Sequence, residues 1–285
     1  MQPDRGQIEM FVDGLFRHAS PKGFVSLRAF YEEDAAKPFR ITATALSGGL
    51  RFLVEVAEDD ASRAANFPKP VVFCPPIATF TNKDRAREQD IAEGLALSVE
   101  CDQHPYMARA KLEEILGPAT IVVRSGGKWT DPATGESQDK LHLHWRLRPP
   151  ARGDDLPALK RARDMAARLV GGDPTNKPVC HPIRWPGSWH RKSEPILCSI
   201  ETASPDSEIE LTAALAALTA ASPAEQPRQK TNGKDRSAGE ASNWHSCIHG
   251  VISGTNYHAA LTQLAAKPIT PSRAGGLKGN RQRRL

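Results

Sequence analysis

Long apolar runs are missing from this 285-residue chain; no stretch of 18 or more apolar residues occurs, which argues against a membrane-spanning helix. The opening Met1-Gln2-Pro3-Asp4-Arg5 lacks the basic and apolar regions of a signal peptide, so a cytoplasmic location is expected. Cysteine is sparse: Cys74, Cys101, Cys180, Cys198 and Cys247 are scattered and form no C-x-x-C pair. That pattern speaks against a zinc ribbon and against a disulfide framework, and suits small buried thiols in a reducing compartment.

Charge is unevenly spread. Residues 222–285 hold ten Lys/Arg and three Asp/Glu, so their +7 exceeds the +5 of the whole chain and leaves residues 1–221 at −2. A weakly acidic body does not by itself imply nucleic acid. Any affinity for phosphates must come from local cationic patches. The length is enough for one large domain with an extensive core.

Periodicity and punctuation predict a helix over residues 8–18 and strands over 24–31, 50–56 and 68–73. Asn82 is a predicted N-cap for a helix over residues 83–94. A buried strand is predicted over residues 95–102, a helix over 106–116 stopped by Gly117-Pro118, and a strand over 119–124 leading into Ser125-Gly126-Gly127. Residues 128–140 read as a loop or hairpin tip, 141–148 as a strand and 154–170 as an amphipathic helix. Strands near residues 181–185 and 196–201 and a helix over 209–221 complete a mixed α/β or α+β body. Residues 222–243 read as a disordered Pro/Gly/Ser/Lys linker, and 244–285 as a truncated helical remnant with a basic tail.

Three short clusters carry chemistry. In Glu100-Cys101-Asp102 the carboxylates alternate onto one strand face, where they repel unless a cation neutralises them or one takes a proton. Hard oxygen donors of this kind suit Mg²⁺ or Mn²⁺. In Leu141-His142-Leu143-His144-Trp145 the two histidines share one face of their strand and the apolar residues take the other, leaving the pair able to donate to phosphate oxygens or to chelate a transition metal. Asp173, after Gly171-Gly172 and before Pro174, is a candidate third ligand. The segment Arg184-Trp185-Pro186-Gly187-Ser188-Trp189-His190-Arg191-Lys192 is a turn flanked by cations. Its Arg184, Arg191 and Lys192 can meet phosphates, and its Trp185 and Trp189 can stack on a base. Ser125-Gly126-Gly127 allows close backbone approach to a phosphate.

In this order, the clusters resemble the RepB-like primases of the archaeo-eukaryotic primase superfamily, found in plasmids, phages and mobile elements. Glu100-x-Asp102 resembles the first motif. Arg124-Ser125-Gly126-Gly127 with Leu141-His142-Leu143-His144-Trp145 resembles the second, and Gly172-Asp173-Pro174 followed by Arg184-Trp185-Pro186-Gly187 and Lys192 resembles the third. The likeness runs over about residues 7–201, and Ile252-x-Gly254-x-Asn256-Tyr257-His258 resembles a segment that follows such domains. The first acid is Glu where relatives more often carry Asp, and His144 stands where they carry an aromatic.

The resemblance implies a primase-polymerase catalytic core over residues 1–221, with an RRM-like mixed sheet and an N-terminal α/β subdomain. It implies that Glu100, Asp102 and Asp173 hold two Mg²⁺ or Mn²⁺ ions, with no organic cofactor. Ser125, His142, His144, Arg184 and Lys192 would bind the nucleotide, His142 being matched to the motif's histidine. The implied activity is synthesis of short primers from NTPs or dNTPs on single-stranded DNA, with a separate replicative helicase as a further partner and no membrane. Two other readings stand beside it: a non-catalytic single-stranded-DNA-binding replication protein on the same scaffold, and a metal hydrolase built on His142 and His144.

Overall fold

The computed structural model describes residues 1–192 and 194–222, apart from the side chains of residues 34–37. The linker beyond Ser222 and the tail expected from the sequence lie outside the described residues. Five helices and ten strands make an α+β architecture within those residues.

Helix α1 (Arg5–Phe16) begins where the Asp4 carboxylate accepts from the Gln7 amide at 3.1 Å, and buries Ile8, Phe11, Val12, Leu15 and Phe16 along one stripe. Strands β1 (Phe24–Tyr31) and β2 (Asp34–Ala45) follow, then α2 (Gly49–Asn66), β3 (Val71–Phe73), β4 (Ala78–Phe80) and β5 (Ile91–Cys101). Next come α3 (Pro105–Leu116), the long β6 (Ile121–Thr130) and β7 (Ser137–Ala151), and α4 (Asp155–Val170). The short β8 (Trp189–His190) and β9 (Ile196–Leu197), β10 (Ser199–Ala203) and α5 (Leu211–Ala221) close the fold. One antiparallel sheet runs β10-β6-β7-β5-β4-β1-β2, with β3 also paired to β1, while β8 and β9 form a separate ribbon.

Each face of the sheet has its own core. Ile121 and Val123 of β6 and Val25 and Leu27 of β1 join α1 and α2 in one cluster. Leu97 and Val99 of β5, and Leu141, Leu143, Trp145 and Leu147 of β7, join α3, α4 and α5 in the other. The period of two along β5 and β7 thus sends apolar residues to the second cluster and Ser98, Glu100, His142, His144 and Arg146 to the opposite face.

Four sequence expectations are corrected here. Residues 50–56 are helical, because Leu53, Val54, Ala57, Ala61, Ala64 and Ala65 bury at helical spacing over a longer window than seven residues. Residues 83–94 form no long helix: from Lys83 to Asp90 only Ala86 is apolar, so a helix there has no face to bury. Asn82 does cap a single turn, its carboxamide oxygen accepting from the amides of Asp84 (3.1 Å) and Arg85 (2.9 Å). Residues 128–140 are mostly ladder, with Lys128 opposite Asp139 and Thr130 opposite Ser137, so the hairpin tip is confined to residues 131–136. Residues 181–185 form no strand, Pro182 having no amide to donate.

A buried cation ties the last segment to the sheet. The Arg146 guanidinium, 1% exposed, donates to the carbonyls of Gly14 and Pro205, each at 2.6 Å, and to Glu208 Oε1 at 2.9 Å from Nε. Glu208 also meets His18 Nε2 at 2.6 Å and Arg148 at 3.2 Å. Partial burial tends to raise its carboxyl pKa, but the hydrogen bonds from His18, Arg146 and Arg148 outweigh this and hold it at about 2. A depressed pKa contributes stability that is present above the ordinary value of 4.5 and lost as pH falls towards 2. Glu208→Gln, which leaves Arg146 without its counter-ion, is therefore expected to lower stability by about 3 kcal/mol at neutral pH. Urea unfolding of both proteins from pH 7 to pH 3 checks this, the difference between them shrinking as the solution is acidified.

Candidate active site

The β5–β7 ladder places Glu100 opposite His142 and Ser98 opposite His144. Beyond the end of this polar row lies a cavity of about 730 Å³. Its lining includes Glu100, Asp102 and Asp173, the histidines His142 and His190, and the cations Lys128, Lys140, Arg184 and Lys192.

The acids reach it from two directions. Glu100 projects from β5 and Asp102 follows directly after it. Asp173 arrives on the turn after α4, where its amide donates to the Glu100 carbonyl at 3.2 Å. That approach depends on Gly172, since a Cβ there would lie 2.8 Å from the Glu100 carbonyl oxygen. Arg163 of α4, 2% exposed, secures the same turn by donating to the Asn176 carboxamide and to the Val179 carbonyl (3.3 Å).

Glu100 is a deeply placed carboxylate. Burial pushes its pKa upward, yet the positive fields of His142, His181 and Arg163 prevail and hold it at about 2. His142 Nε2 lies 3.8 Å from Oε2 and His181 Nε2 lies 3.2 Å from Oε1, while Oε1 receives no directional hydrogen bond. Asp102 is engaged by Lys140, with Nζ 3.1 Å from Oδ1, and one Asp173 oxygen accepts from the Thr175 amide at 2.7 Å. Burial, foremost, lowers the pKa of His142, whose Nδ1 is buried without a partner.

The basic segment is pinned by its tryptophan. Trp185 is fully buried between Phe11, Phe16 and Phe73, with ring centroids 5.1, 5.6 and 5.7 Å away, and its Nε1 donates to the Pro75 carbonyl at 3.0 Å. Arg184 and Lys192, on either side of this anchor, line the cavity. Arg191 instead caps the C-terminus of α2, donating to the carbonyls of Ala64 (3.2 Å) and Phe67 (2.7 Å). Gly126, at φ +81°, lets β6 pass the His190 side chain, whose Cβ would otherwise meet its own at 2.7 Å. Burial, then Arg184 and Lys192, lower the pKa of His190 to about 4, so it is neutral at physiological pH.

No family model and no curated protein matches the chain. Among solved structures, the AEP domain of the cyanophage S-2L primase-polymerase matches with a TM-score of 0.53 at 18% identity, over 76% of this chain and 100% of that one. The catalytic domain of primase RepB′, solved in complex with initiator DNA, gives 0.48 at 12% identity over 76% and 94% of the two chains. A further RepB′ structure gives 0.47 at 11% over 90% and 68%. The chain has a primase-polymerase fold.

On that fold, six of the eight residues singled out from the sequence line one cavity: Glu100, Asp102, His142, Asp173, Arg184 and Lys192. Ser125 and His144 do not. Ser125 is 1% exposed and its hydroxyl donates to the Lys140 carbonyl at 3.3 Å. His144 is fully buried, its Nδ1 3.0 Å from Ser98 Oγ and its ring edge-on to Phe11 at 5.6 Å. Burial, assisted by His142 and Arg163, drives its pKa well below 6.5, so it is a neutral core residue. The His142 and His144 rings stand 6.4 Å apart and perpendicular, which is no chelating pair. Trp185, offered as a base-stacking residue, is core as well.

Lys140, His181 and His190 escaped the sequence reading, as did Glu32, whose Oε1 sits 3.7 Å from both Arg184 and His190. Only His190 lay inside a segment already singled out. The others come from unrelated stretches and carry no local motif.

Three carboxylates lining one cavity, with a buried Glu100 oxygen that has His181 Nε2 at 3.2 Å but no directional hydrogen bond, are a donor set of the right chemistry for hard divalent cations. They are not drawn together as they stand: among the described residues no three His, Cys, Asp or Glu side chains meet closely enough to form a metal cluster. Gly172→Ala, which forces the Asp173 turn away from β5, is expected to cost about 1–3 kcal/mol of stability. Its thermal unfolding midpoint compared with wild type checks this; an unchanged midpoint contradicts the close approach.

Proposed function

We propose that this protein is a template-directed nucleotidyl transferase, a primase or primase-polymerase that makes short primers on single-stranded DNA. The observation that carries the reading is a single cavity, on a primase-polymerase fold, that faces three carboxylates with the cations Arg184 and Lys192. Acids alone would suit many hydrolases, and cations alone would suit any anion. A triphosphate joined to divalent ions calls for both.

Glu100, Asp102 and Asp173 are the residues that would hold Mg²⁺ or Mn²⁺, which when bound supplies charge to the polyphosphate and lowers the pKa of the attacking hydroxyl. The remaining roles belong to the chain itself. Glu100 is already ionised, so a cation meets a carboxylate without displacing a proton. Lys140 neutralises Asp102 until a cation replaces it. Arg184 and Lys192, lining the same cavity, bind the phosphate oxygens, where their charge counters the negative charge of the transferring group. His142, with a partnerless Nδ1, is placed to take part in one hydrogen bond with that group. Trp185 fixes the segment bearing both cations, so that their positions are set before substrate arrives.

A second reading, a non-catalytic single-stranded-DNA-binding protein on the same scaffold, gains from the ion pair of Asp102 with Lys140 and from Asp173 capping its own turn. Primer synthesis from labelled NTPs and dNTPs with Mg²⁺ or Mn²⁺ separates the two. Metal-dependent product is expected from wild type, with a loss of roughly 10²–10³-fold or more in Asp102→Ala. Absence of product from both, with single-strand binding retained, would transfer the assignment to the second reading.

A further inference from the structure

A second cavity, of about 290 Å³, lies on the outer part of the sheet and is lined by residues of β1, β2, β4 and the 82–87 loop. Its floor uses Ser26 and Arg28 of β1 with their ladder partners Ala43 and Ile41, the side chains left over when Leu27 and Ala29 turn to the α1–α2 core. Its rim is the polar loop that replaces the expected helix, from which Lys83, Arg85 and Arg87 stand exposed.

Arg28 fastens this rim to the floor. Its guanidinium lies 5.6 Å from the Phe80 ring centroid, donates from Nε to Ser26 Oγ at 2.9 Å, and donates to the Ala86 carbonyl. Half-buried as it is, Arg28 has no carboxylate beside it. Among the described residues none of Arg28, Lys83, Arg85 and Arg87 forms an ion pair, and Asp84 is the one acid on the lining. Four cations against one carboxylate leave three positive charges in excess, in a chain body that is net acidic.

The shape of this charge selects its ligand. The cations alternate along the loop at positions 83, 85 and 87, and they border an apolar floor that includes Phe24 and the 56%-exposed Ile41. A phosphodiester strand presents charges in a row, and its unpaired bases offer flat apolar faces to such a floor. Strand β1 runs between the groove and the acidic cavity: Arg28 lines the groove, and its carbonyl accepts at 2.9 Å from the amide of Cys74, which lines the cavity.

We propose that this groove seats single-stranded DNA, with Lys83, Arg85 and Arg87 on its phosphates, and leads it towards the acidic cavity. The template role rests on the transferase reading above; the binding itself does not. The test is fluorescence anisotropy of labelled oligo(dT) with the full chain and with the triple variant Lys83→Gln/Arg85→Gln/Arg87→Gln, over a salt titration. All three residues are solvent-exposed, and circular dichroism confirms that the variant is folded. Loss of three phosphate contacts is expected to flatten the slope of log affinity against log salt by about 2 and to weaken binding roughly tenfold or more. Binding of dTTP with Mn²⁺, measured by calorimetry, is expected to be unchanged. An unaltered oligo(dT) slope and affinity overturns the proposal, and so does an equal loss of dTTP binding, which would assign the cations to the first cavity. Wild type that binds oligo(dT) through these residues but makes no primer sinks the transferase reading alone.

Discussion

The site depends on the register of β5 against β7. Because side chains alternate strictly, pairing Glu100 with His142 decides which five polar groups share a face and which apolar ones support them. A slip by one residue would send Glu100 into the cluster of Leu97, Val99 and Leu143 and bring those residues onto the cavity side. The register is held from both faces: Trp145 and Leu147 pack beneath α3, α4 and α5, while Arg146 reaches the Gly14 carbonyl of α1 on the other side. The polar row thus changes character along its length. Arg146 is a structural clamp, His144 a neutral core ring, and His142 the residue that emerges into the cavity.

Electrostatics at the cavity follow from what surrounds each charge. Glu100 is buried, which alone would favour its protonated form, but His181, His142 and the buried Arg163 keep it ionised. Arg163 also carries the hydrogen bonds that hold the Asp173 turn. One guanidinium therefore acts on two of the three acids, by field on Glu100 and by geometry on Asp173. Burial, aided by the fields of Arg184 and Lys192, suppresses protonation of His190, so the positive charge beside it rests on those two side chains.

The strands bearing the acids and histidines were legible because alternation is a local signal, and the order of the three clusters pointed to the fold. Helix α2 was not, since residues 50–56 taken alone are rich in large apolar side chains and its helical stripe emerges only when the alanines up to Ala65 are included. The histidine strand shows a different limit. Alternation gives His142 and His144 the same face, but only the packing of Phe11 from α1 determines that the core ends between them. Lys140, His181 and Glu32 were invisible for a related reason: each acquires its role from a partner distant in sequence, through contacts that no spacing encodes.

The basic segment shows how one motif divides its labour. Of its three cations, Arg191 is consumed by the carbonyls ending α2, and both of its tryptophans donate to backbone carbonyls, Trp185 to Pro75 and Trp189 to Gln2. Three of the five most conspicuous side chains thus anchor the loop to helices and termini, leaving Arg184 and Lys192 to face the cavity. Such an arrangement has a physical advantage. Two cations held near each other and near acids would relax away from any useful geometry on flexible arms, and a loop fastened on both sides resists that relaxation before any anion is present. The anchoring residues therefore belong to the chemistry of the cavity although none of them reaches into it.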